Sequence, residues 1–364
     1  MDLLDLDALE ASARESLDRG TFDFIAGGAD DELTLAANRS AWDEILLRPK
    51  VLRDVRQIDT STTLLGTPLR SPIGVAPTAF QRLVHPEGEC AMAKGASARG
   101  CLMVLSTRAT ATPADCHEAA PEGPRWYQVY VLNDRSRTER MITEAVEAGI
   151  SALVLTADTP VLGRRRRDAV NQFALPPNLG GPSLHLEPGE EGNLVDQAAD
   201  VTFDDIGWLH DISGLPVVIK GVVRADDAAA CVEAGAAAVW VSNHGGRQLD
   251  GCVPTAMALR EVVAAVGAQA EVYVDGGVRR GTDVLRGLAM GADAVFVGRP
   301  PVWGLANGGS DGVELVLKGL TGELKLAMAL AGVRNCGEIG QDLVAPQNDS
   351  GFPRGDDART PSHP

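Results

Sequence analysis

A histidine and an arginine lie three residues apart at the end of a strongly apolar stretch, and their side chains could act next to a carboxylate. The apolar run Ala236–Val241 changes abruptly to Ser-Asn-His-Gly-Gly-Arg-Gln-Leu-Asp at residues 242–250. His244 can take and give protons near neutral pH, and Arg247 can hold a carboxylate through two parallel hydrogen bonds. The pattern predicts a base beside an anion-binding group. Taken alone, it is equally compatible with a capped loop that carries a hydrogen-bonded histidine and a solvated arginine.

The elements around this pair must position it. An apolar run of this length, bounded by glycine, predicts a buried strand, and the polar residues after it predict a loop at the carboxyl end of that strand. Gly245 and Gly246 allow the loop backbone to adopt positive φ or to lie close to a ligand. The reactive pair is therefore expected where a strand ends.

Other apolar runs resemble this strand, and helix-like segments alternate with them. The eight predicted strands are Pro72–Ala79, Cys101–Thr107, Trp126–Val131, Ala152–Asp158, Pro216–Gly221, Ala237–Asn243, Val272–Gly277 and Ala294–Arg299. Near-continuous apolar strands in a β-then-α repeat are typical of a parallel sheet closed into a barrel. We therefore predict an α/β fold, a (β/α)8 TIM barrel from about residue 72. The alternative is a doubly wound open sheet, which would more often carry G-x-G-x-x-G after its first strand.

Segments outside the repeat complete a single predicted domain that spans residues 1–344. Residues 1–20 predict an amphipathic helix and residues 32–42 a second helix, so a helical extension precedes the barrel. The connection after the fourth strand, residues 160–215, is long and rich in Pro, Gly and acidic residues, which is typical of a lid or a disordered loop. The polar tail at residues 345–364 is predicted to be disordered.

Every predicted strand ends in a side chain that can form hydrogen bonds. In chain order these are Thr78, Ser106, Gln128 with Tyr130, Thr156 with Asp158, Lys220, Ser242 with His244, Asp275 and Arg299. Sites in barrels of this kind lie at the carboxyl ends of the strands. The side chains are therefore expected to converge on one mouth and to surround a large polar ligand.

Glycine and arginine follow the last two strands, where such barrels bind phosphate. The segments are Asp275-Gly276-Gly277-Val278-Arg279-Arg280-Gly281 and Gly298-Arg299. Each alone is compatible with a tight turn, but together they favour a phosphorylated cofactor, and Lys220 would place positive charge beside its ring. Arg165, within the arginine run 164–167, is either a second anion-binding group opposite Arg247 or part of a solvated basic patch.

The composition argues against several classes of function. A net charge of −17 over 364 residues argues against a nucleic-acid partner, which would need a basic face. The six cysteines form no CxxC pair and no zinc-type cluster with histidine, so we expect no metal site and free thiols in a reducing cytoplasm. The acidic amino terminus lacks a signal-peptide pattern, and no apolar run is long enough to span a bilayer, so we expect a cytoplasmic location and no membrane partner.

The motifs resemble those of the FMN-dependent 2-hydroxy-acid oxidases and dehydrogenases, a family that includes glycolate, lactate and 4-hydroxymandelate oxidases. The resemblance runs from about residue 5 to about residue 340. Besides the two glycine-containing motifs above, it is carried by Ala76-Pro77-Thr78-Ala79, His85-Pro86-Glu87-Gly88-Glu89 and Asp158-Thr159-Pro160. It implies an FMN cofactor, oxidation of an (S)-2-hydroxy acid to the 2-oxo acid, reoxidation of the flavin by O2 with release of H2O2, and a homotetramer or octamer.

The resemblance also implies roles for individual residues. His244 is the base that takes a proton from the hydroxy acid, Asp158 orients it, and Tyr130 donates a hydrogen bond near the substrate oxygen. Arg165 and Arg247 hold the substrate carboxylate. The residues implied to surround FMN are Pro77, Thr78, Ala79, Ser106, Gln128, Thr156, Lys220, Ser242, Asp275, Gly276, Gly277, Val278, Arg279, Gly298 and Arg299.

Two substrate-side positions depart from the family pattern. Phe24 stands where many members have a tyrosine whose hydroxyl helps to bind the carboxylate, and the Phe-Asp-Phe run resembles the 4-hydroxymandelate oxidase branch, which indicates an aromatic, mandelate-like substrate. Arg108 stands where glycolate oxidase has a tryptophan over the substrate. Arg108 either adds a third cation that recruits a more anionic or polar substrate, or it points to solvent or pairs with an acid of the long loop.

Two alternatives to a simple oxidase remain open at this point. The same chemistry could use an electron acceptor other than oxygen. The chain could instead be a diverged flavoenzyme that acts on a tailored or carrier-bound metabolite, and Phe24 and Arg108 are the residues that keep this alternative open.

Overall fold

The computed structural model describes residues 4–176, 179–184 and 197–346 and has a closed barrel of parallel strands at its centre. Its strands are β1 Thr62–Leu64, β2 Thr67–Leu69, β3 Ile73–Val75, β4 Met103–Ser106, β5 Arg125–Val129, β6 Leu153–Thr156, β7 Val217–Val222, β8 Ala238–Val241, β9 Glu271–Val274 and β10 Ala294–Val297. Strands β3 to β10 pair in chain order, and β10 closes the barrel on β3 with Val295 opposite Ile73. The predicted (β/α)8 barrel is confirmed, and the open-sheet alternative is wrong.

The observed barrel strands are shorter than the predicted ones, except β7, which keeps its predicted length and ends one residue later. The apolar core of each run forms the strand, but polar residues that were included at the carboxyl ends, such as Asp158, Asn243 and Gly277, lie beyond the last ladder residue. The reason is that these residues leave the sheet to reach the barrel mouth, where their side chains and backbone are available to a ligand.

Helices surround the barrel and precede it. They are α1 Leu6–Ser16, α2 Arg19–Ala26, α3 Leu33–Asp43, α4 Gly88–Arg99, α5 Pro113–Ala119, α6 Arg135–Glu147, α7 Arg166–Val170, α8 Asp204–Ser213, α9 Ala225–Glu233, α10 Thr255–Val266, α11 Gly281–Ala289 and α12 Arg299–Ala331. Within α12 the backbone is non-helical at Gly308 and Gly309, which kinks the helix. No described helix is long and apolar enough to cross a membrane.

The helical extension is confirmed, but one part of its prediction is wrong. The single helix expected over residues 1–20 is two helices, because Leu17 is extended (φ −91°, ψ 152°) and Asp18 begins a new helix by accepting a hydrogen bond from Thr21 N at 2.9 Å. Helix α2 therefore includes Phe22 and Phe24, which lie beyond the predicted helix over residues 1–20. This helix carries Phe24 to the barrel mouth.

Aromatic side chains fill the barrel interior below the mouth. Trp126, Trp240, Tyr273 and Phe296 are each fully buried, and the rings of Trp240 and Phe296 have centroids 3.9 Å apart. The β1–β2 hairpin contributes Leu64 and Leu69 to the same cluster. Each such buried side chain stabilises the fold by about 1.5–3 kcal/mol. The cluster gives the mouth a closed, apolar floor.

The long connection after β6 contains regular structure. Its described part includes α7, a 3₁₀ turn at Pro182–Leu184 and α8, so it is not wholly irregular. The lid or disorder expected for its middle falls largely on residues 177–178 and 185–196, which lie outside the described residues. The tail that the sequence predicts to be disordered is also outside the described residues from residue 347 onward. Of its two described residues, Ala345 donates its backbone N–H to Leu46 O at 2.9 Å.

Candidate active site

A cavity opens at the carboxyl ends of the barrel strands, and nearly all the predicted site residues line it. Together with the open solvent at its mouth, the space within it is about 1150 Å³. The lining residues that the sequence predicted are Phe24, Pro77, Thr78, Ala79, Ser106, Arg108, Gln128, Tyr130, Thr156, Arg165, Lys220, His244, Arg247, Asp275, Gly276, Gly277, Val278, Arg279, Gly298 and Arg299. Asp158 and Ser242 lie immediately behind this lining, each bonded to residues that form it.

His244 and Asp158 form a hydrogen-bonded pair across two loops. His244 Nδ1 lies 2.8 Å from Asp158 Oδ1, and the Thr159 hydroxyl donates to the same oxygen at 2.9 Å. His244 adopts a positive φ of 58°, and its backbone N–H donates to Ser242 Oγ at 3.1 Å, so the loop aims the ring at the cavity. Because Nδ1 faces the carboxylate, Nε2 is left as the atom that can accept a proton from a ligand.

The surroundings of the pair favour a neutral His244 and an ionised Asp158. Burial lowers the pKa of His244 below its ordinary 6.5, with Asp158 opposing and Lys220 and Arg165 adding to the effect. Burial would raise the pKa of Asp158, but His244, Lys220 and the Thr159 hydroxyl outweigh it, so this pKa is lowered. The arrangement suits a general base that is free to accept a proton at neutral pH.

Lys220 is buried inside the mouth and is held by a network from the next two strands. Its ammonium donates to Ser242 Oγ at 2.8 Å and lies 3.3 Å from Asp275 Oδ2, and Ser242 Oγ donates to Asp275 Oδ1 at 2.8 Å. Burial would lower the pKa of Lys220, but Asp275 and Asp158 outweigh it and raise the pKa, so the side chain stays charged. A fixed cation here can stabilise negative charge on a ring bound in the cavity.

Gln128 supplies an observation that fits such a ring. Its Oε1 accepts from Ser106 Oγ at 3.0 Å and from Thr107 N at 3.3 Å, which fixes the amide orientation. Its Nε2 is buried, lines the same cavity and has no hydrogen-bond partner in the part of the chain that the structure describes. A buried donor of this kind calls for an acceptor on a ligand, because leaving it unpaired costs about 1–3 kcal/mol.

The opposite end of the cavity is built for a dianion. Arg279 and Arg299 line it beside the amino terminus of α12, and a Cβ added at Gly298 would meet only Thr78 Cγ2, at 3.8 Å, so the backbone there stays open to a ligand. Burial, with repulsion from Arg279, lowers the pKa of Arg299 to about 10. A helix amino terminus beside two half-buried arginines can bind a phosphate group. The donor set from Gln128 to Arg299 therefore fits FMN.

Arg165 and Arg247 lie on the substrate side with Phe24 between their loops. Their guanidinium carbons lie 6.0 Å and 5.3 Å from the centre of the Phe24 ring. Arg247 donates to the carbonyl oxygens of Phe24 and Gly27, both at 2.8 Å, and neither arginine forms an ion pair with any described carboxylate. Burial, with repulsion from Arg165 and Arg299, lowers the pKa of Arg247 well below its usual value. Two half-buried arginines on one cavity wall favour an anionic ligand.

The structure separates Arg165 from the other arginines of its run. Arg164 donates to Asp30 at 2.6 Å, Arg166 pairs with Asp31, and Arg167 pairs with Asp23 and Glu32 on the amino-terminal segment. Arg165 alone among these four lines the cavity. The sequence left open whether Arg165 binds an anion or belongs to a solvated basic patch. The structure places Arg165 on the cavity wall, as the first possibility requires, and its neighbours pair with acidic residues of the amino-terminal segment.

Arg108 is buried rather than solvent-facing. Its side chain is 1% exposed and its guanidinium carbon lies 5.5 Å from the centre of the Tyr130 ring, on the cavity wall. The solvent-facing alternative is therefore wrong. The alternative of an acid partner in the long loop concerns a segment that lies partly outside the described residues.

Sequence reasoning missed several residues of the site. Ile25, Phe80 and Leu162 line the cavity, and Thr159 bonds to Asp158. Thr159 stood in a motif and next to a predicted acid, so its hydroxyl could have been noticed. The other three reach the cavity from a helix and two loops, and only the tertiary packing reveals them.

A barrel with a phosphate end, a buried lysine and a histidine–carboxylate pair at one mouth defines a flavin-binding oxidoreductase. Residues 13–346 match the FMN-dependent dehydrogenase family. Since the match spans most of the chain, this protein belongs to that family, and FMN is its cofactor.

Relatives and solved structures agree with this assignment. The chain is 46% identical over 349 residues to an L-lactate oxidase of Nostoc sp., covering 92% of this chain and 94% of that protein. It is 44% identical over 356 residues to the glycolate oxidase of Spinacia oleracea, covering 95% and 96%. A mandelate oxidase crystallised with (S)-4-hydroxymandelic acid superposes with a TM-score of 0.87 at 39% identity, covering 93% of this chain and 98% of that one.

Proposed function

We propose that this protein oxidises a 2-hydroxy acid to the corresponding 2-oxo acid. The observation that carries the proposal is that one cavity is lined by His244, which is hydrogen-bonded to Asp158 behind it, by Arg165 and Arg247, and by residues that fit FMN. Bound FMN supplies the two-electron oxidation, and the residues of this chain bind the acid and move its proton.

His244 acts as the base in this proposal. Its Nε2 accepts the proton that leaves the substrate, and Asp158 holds Nδ1 and stabilises the imidazolium that results. The 2.8 Å contact between these side chains supports this division of roles. The geometry is compatible with electron transfer either as a hydride or through a carbanion.

Arg165 and Arg247 hold the substrate carboxylate, and Tyr130 donates a hydrogen bond to an oxygen near it. Both arginines are half-buried and line the cavity, so a carboxylate between them would be partly desolvated and held by charged hydrogen bonds. Burial raises the pKa of Tyr130 above its ordinary value of 10.0, so its hydroxyl remains a donor at physiological pH.

Lys220, Gln128 and the strand-end residues hold the flavin ring, and Arg279 and Arg299 hold the phosphate. Pro77, Thr78 and Ala79 face the ring from the first barrel loop. The cavity lining around these residues and the unpartnered Gln128 Nε2 support the assignment. Ser242 and Asp275 act by holding the Lys220 ammonium.

The substrate side chain is proposed to be aromatic and mandelate-like. Phe24, Phe80 and Leu162 give the outer cavity an apolar wall, and several similar solved structures are of a mandelate oxidase. Arg108 adds a cation on the Tyr130 wall, which favours a polar or anionic substituent on that side chain. A ring with a polar substituent satisfies both features.

Oxygen is proposed as the electron acceptor, giving H2O2, since the named relatives are oxidases. A cytoplasmic location and a homotetramer or octamer are proposed with it, on the resemblance to the family.

A substrate panel tests the proposal. Purified holoenzyme is assayed with glycolate, L-lactate, the two mandelate enantiomers and 4-hydroxymandelate, measuring 2-oxo acid formation and oxygen consumption together. The proposal expects the mandelates to give the highest kcat/KM, with one oxygen consumed for each 2-oxo acid. Product formed only when a dye is supplied would instead favour an acceptor other than oxygen.

A further inference from the structure

Gln248 follows Arg247 directly in the chain and has no part in the roles given above. Its side chain is half-buried and reaches from the loop after β8 to the segment after β6. Its Nε2 donates to Asp158 O at 2.9 Å and to Val161 O at 3.0 Å, and its Oε1 accepts from Gly163 N at 3.1 Å. One amide therefore makes all its hydrogen bonds to the backbone of a single segment, residues 158–163.

That segment joins two functional side chains. Asp158, which holds His244, stands at its start, and Arg165 follows two residues after its end. The loop that carries Gln248 also holds His244 and Arg247. The amide thus links the segment that carries Asp158 and leads to Arg165 with the loop that carries His244 and Arg247.

The two backbones also lie unusually close at this point. A Cβ added at Gly163 would come within 2.5 Å of Arg247 O and 2.7 Å of Gln248 Cα. Because the two backbones are in direct contact here, a shift of one loop against the other would have to break the hydrogen bonds that join them. The Gln248 amide supplies three of these.

We propose that Gln248 is a positioning residue that fixes Asp158 against His244 and Arg165 against Arg247. It touches neither the substrate nor FMN, and it acts through the segment 158–163. The inference rests on the proposed function for its effect on turnover. Its effect on carboxylate binding does not depend on which acid is oxidised.

The test compares Gln248→Met, which keeps the length of the side chain but loses its hydrogen bonds, with Gln248→Glu, which keeps an acceptor for Gly163 N but loses both donated bonds. Leu249→Ala is the matched control, because Leu249 is adjacent in the chain and 76% exposed. Each holoenzyme is assayed for FMN content, thermal midpoint, dissociation constant of benzoate from flavin difference spectra, and the pH profile of kcat/KM with the best acid of the panel.

We expect Gln248→Met to lower kcat by up to about 100-fold, the loss typical of a misplacement near 1 Å, and to weaken benzoate binding about tenfold. We expect the acid limb of its pH profile to move to lower pH, because Asp158 no longer supports the protonated His244. FMN content should match that of Leu249→Ala. Gln248→Glu should show the same changes, since both donated bonds are lost.

A lowered thermal midpoint with unchanged benzoate affinity and unchanged pH profile would overturn the proposal and leave Gln248 a purely stabilising residue. Failure of the proposed function looks different, because the parent enzyme would then oxidise none of the acids. Weakened benzoate binding in Gln248→Met would still support the positioning role in that case.

Discussion

Arg247 and Arg299 donate to the same oxygen, the backbone carbonyl of Gly27, at 2.8 Å each. One arginine belongs to the substrate side of the cavity and the other to the phosphate end. The carbonyl groups at the carboxyl end of α2 are a favourable place for cations, so this helix end holds both arginines at a fixed separation. The amino-terminal extension is therefore part of the site.

The role proposed for Arg165 in binding the carboxylate can be tested with its neighbour Arg166 as the control. Arg165→Leu removes a half-buried cation that lines the cavity, whereas Arg166→Leu removes one that pairs with an exposed aspartate outside it. We expect the first variant to raise KM for the hydroxy acid about 10- to 100-fold, the loss of a charged hydrogen bond of about 1.5–3 kcal/mol, and the second to leave KM nearly unchanged. Steady-state kinetics measure both. Equal effects in the two variants would contradict the role given to Arg165.

Asp158→Asn keeps the shape of the side chain and removes its charge. His244 then loses the charge that stabilises its imidazolium, and the amide can donate to Nδ1 and so favour the wrong tautomer; we therefore expect kcat to fall by roughly 10²- to 10⁴-fold. The variant should retain FMN, because Asp158 lies behind the cavity lining. Rapid-mixing measurement of flavin reduction reports the chemical step directly. A variant that reduces its flavin at the parent rate would exclude Asp158 from the reaction.

The pH dependence of kcat/KM follows from the directions in which the pKa values of His244 and Tyr130 are shifted. Burial lowers the pKa of His244 below 6.5, and the base must be neutral to accept a proton, so kcat/KM should rise through an acid limb below pH 6.5 and then level off. Burial raises the pKa of Tyr130 above 10.0, so loss of this donor should not limit the rate at mildly alkaline pH. A profile of kcat/KM from pH 5 to pH 9 checks both limits. A limb centred near pH 8 would contradict the assignment of His244.

The specificity role proposed for Arg108 can be tested by substitution, because the side chain lies on the cavity wall beside Tyr130. Arg108→Met replaces the buried cation on the Tyr130 wall with an apolar side chain of similar length. We expect kcat/KM to fall about tenfold for 4-hydroxymandelate or a hydroxy dicarboxylate and to change little for L-lactate, which serves as the internal control. If the ratio between these acids stays constant, Arg108 does not contribute to specificity.

The barrel and most of its lining could be predicted because two local rules suffice. Apolar runs that alternate with helices define the strands, and the residues just after each strand end must meet at one mouth, as Lys220, His244 and Asp275 do. Most predicted strands extend beyond the carboxyl ends that the structure shows. The reason is that the residues that leave the sheet follow the apolar run without a break in the sequence.

The remaining features depend on contacts between distant parts of the chain. Nothing local in the run of arginines indicates that Arg165 turns inward, because the partners of its neighbours, Asp30 and Asp31, come from the amino-terminal segment. The break between α1 and α2 depends on one capping aspartate, Asp18. The wall formed by Phe80 and Leu162 exists only once two separate loops have folded over the barrel.

Anaerobic reduction of the bound flavin tests directly whether this protein oxidises 2-hydroxy acids with His244 as the base. The holoenzyme and a His244→Ala variant are mixed without oxygen with the panel of 2-hydroxy acids, and the flavin absorbance is followed. We expect at least one acid to bleach the flavin of the parent rapidly, and a mandelate to do so most strongly. In His244→Ala, we expect the bleaching to be slowed by at least about 100-fold. Flavin that is bound but bleached by none of the acids, or bleached equally fast without His244, would contradict the proposed function.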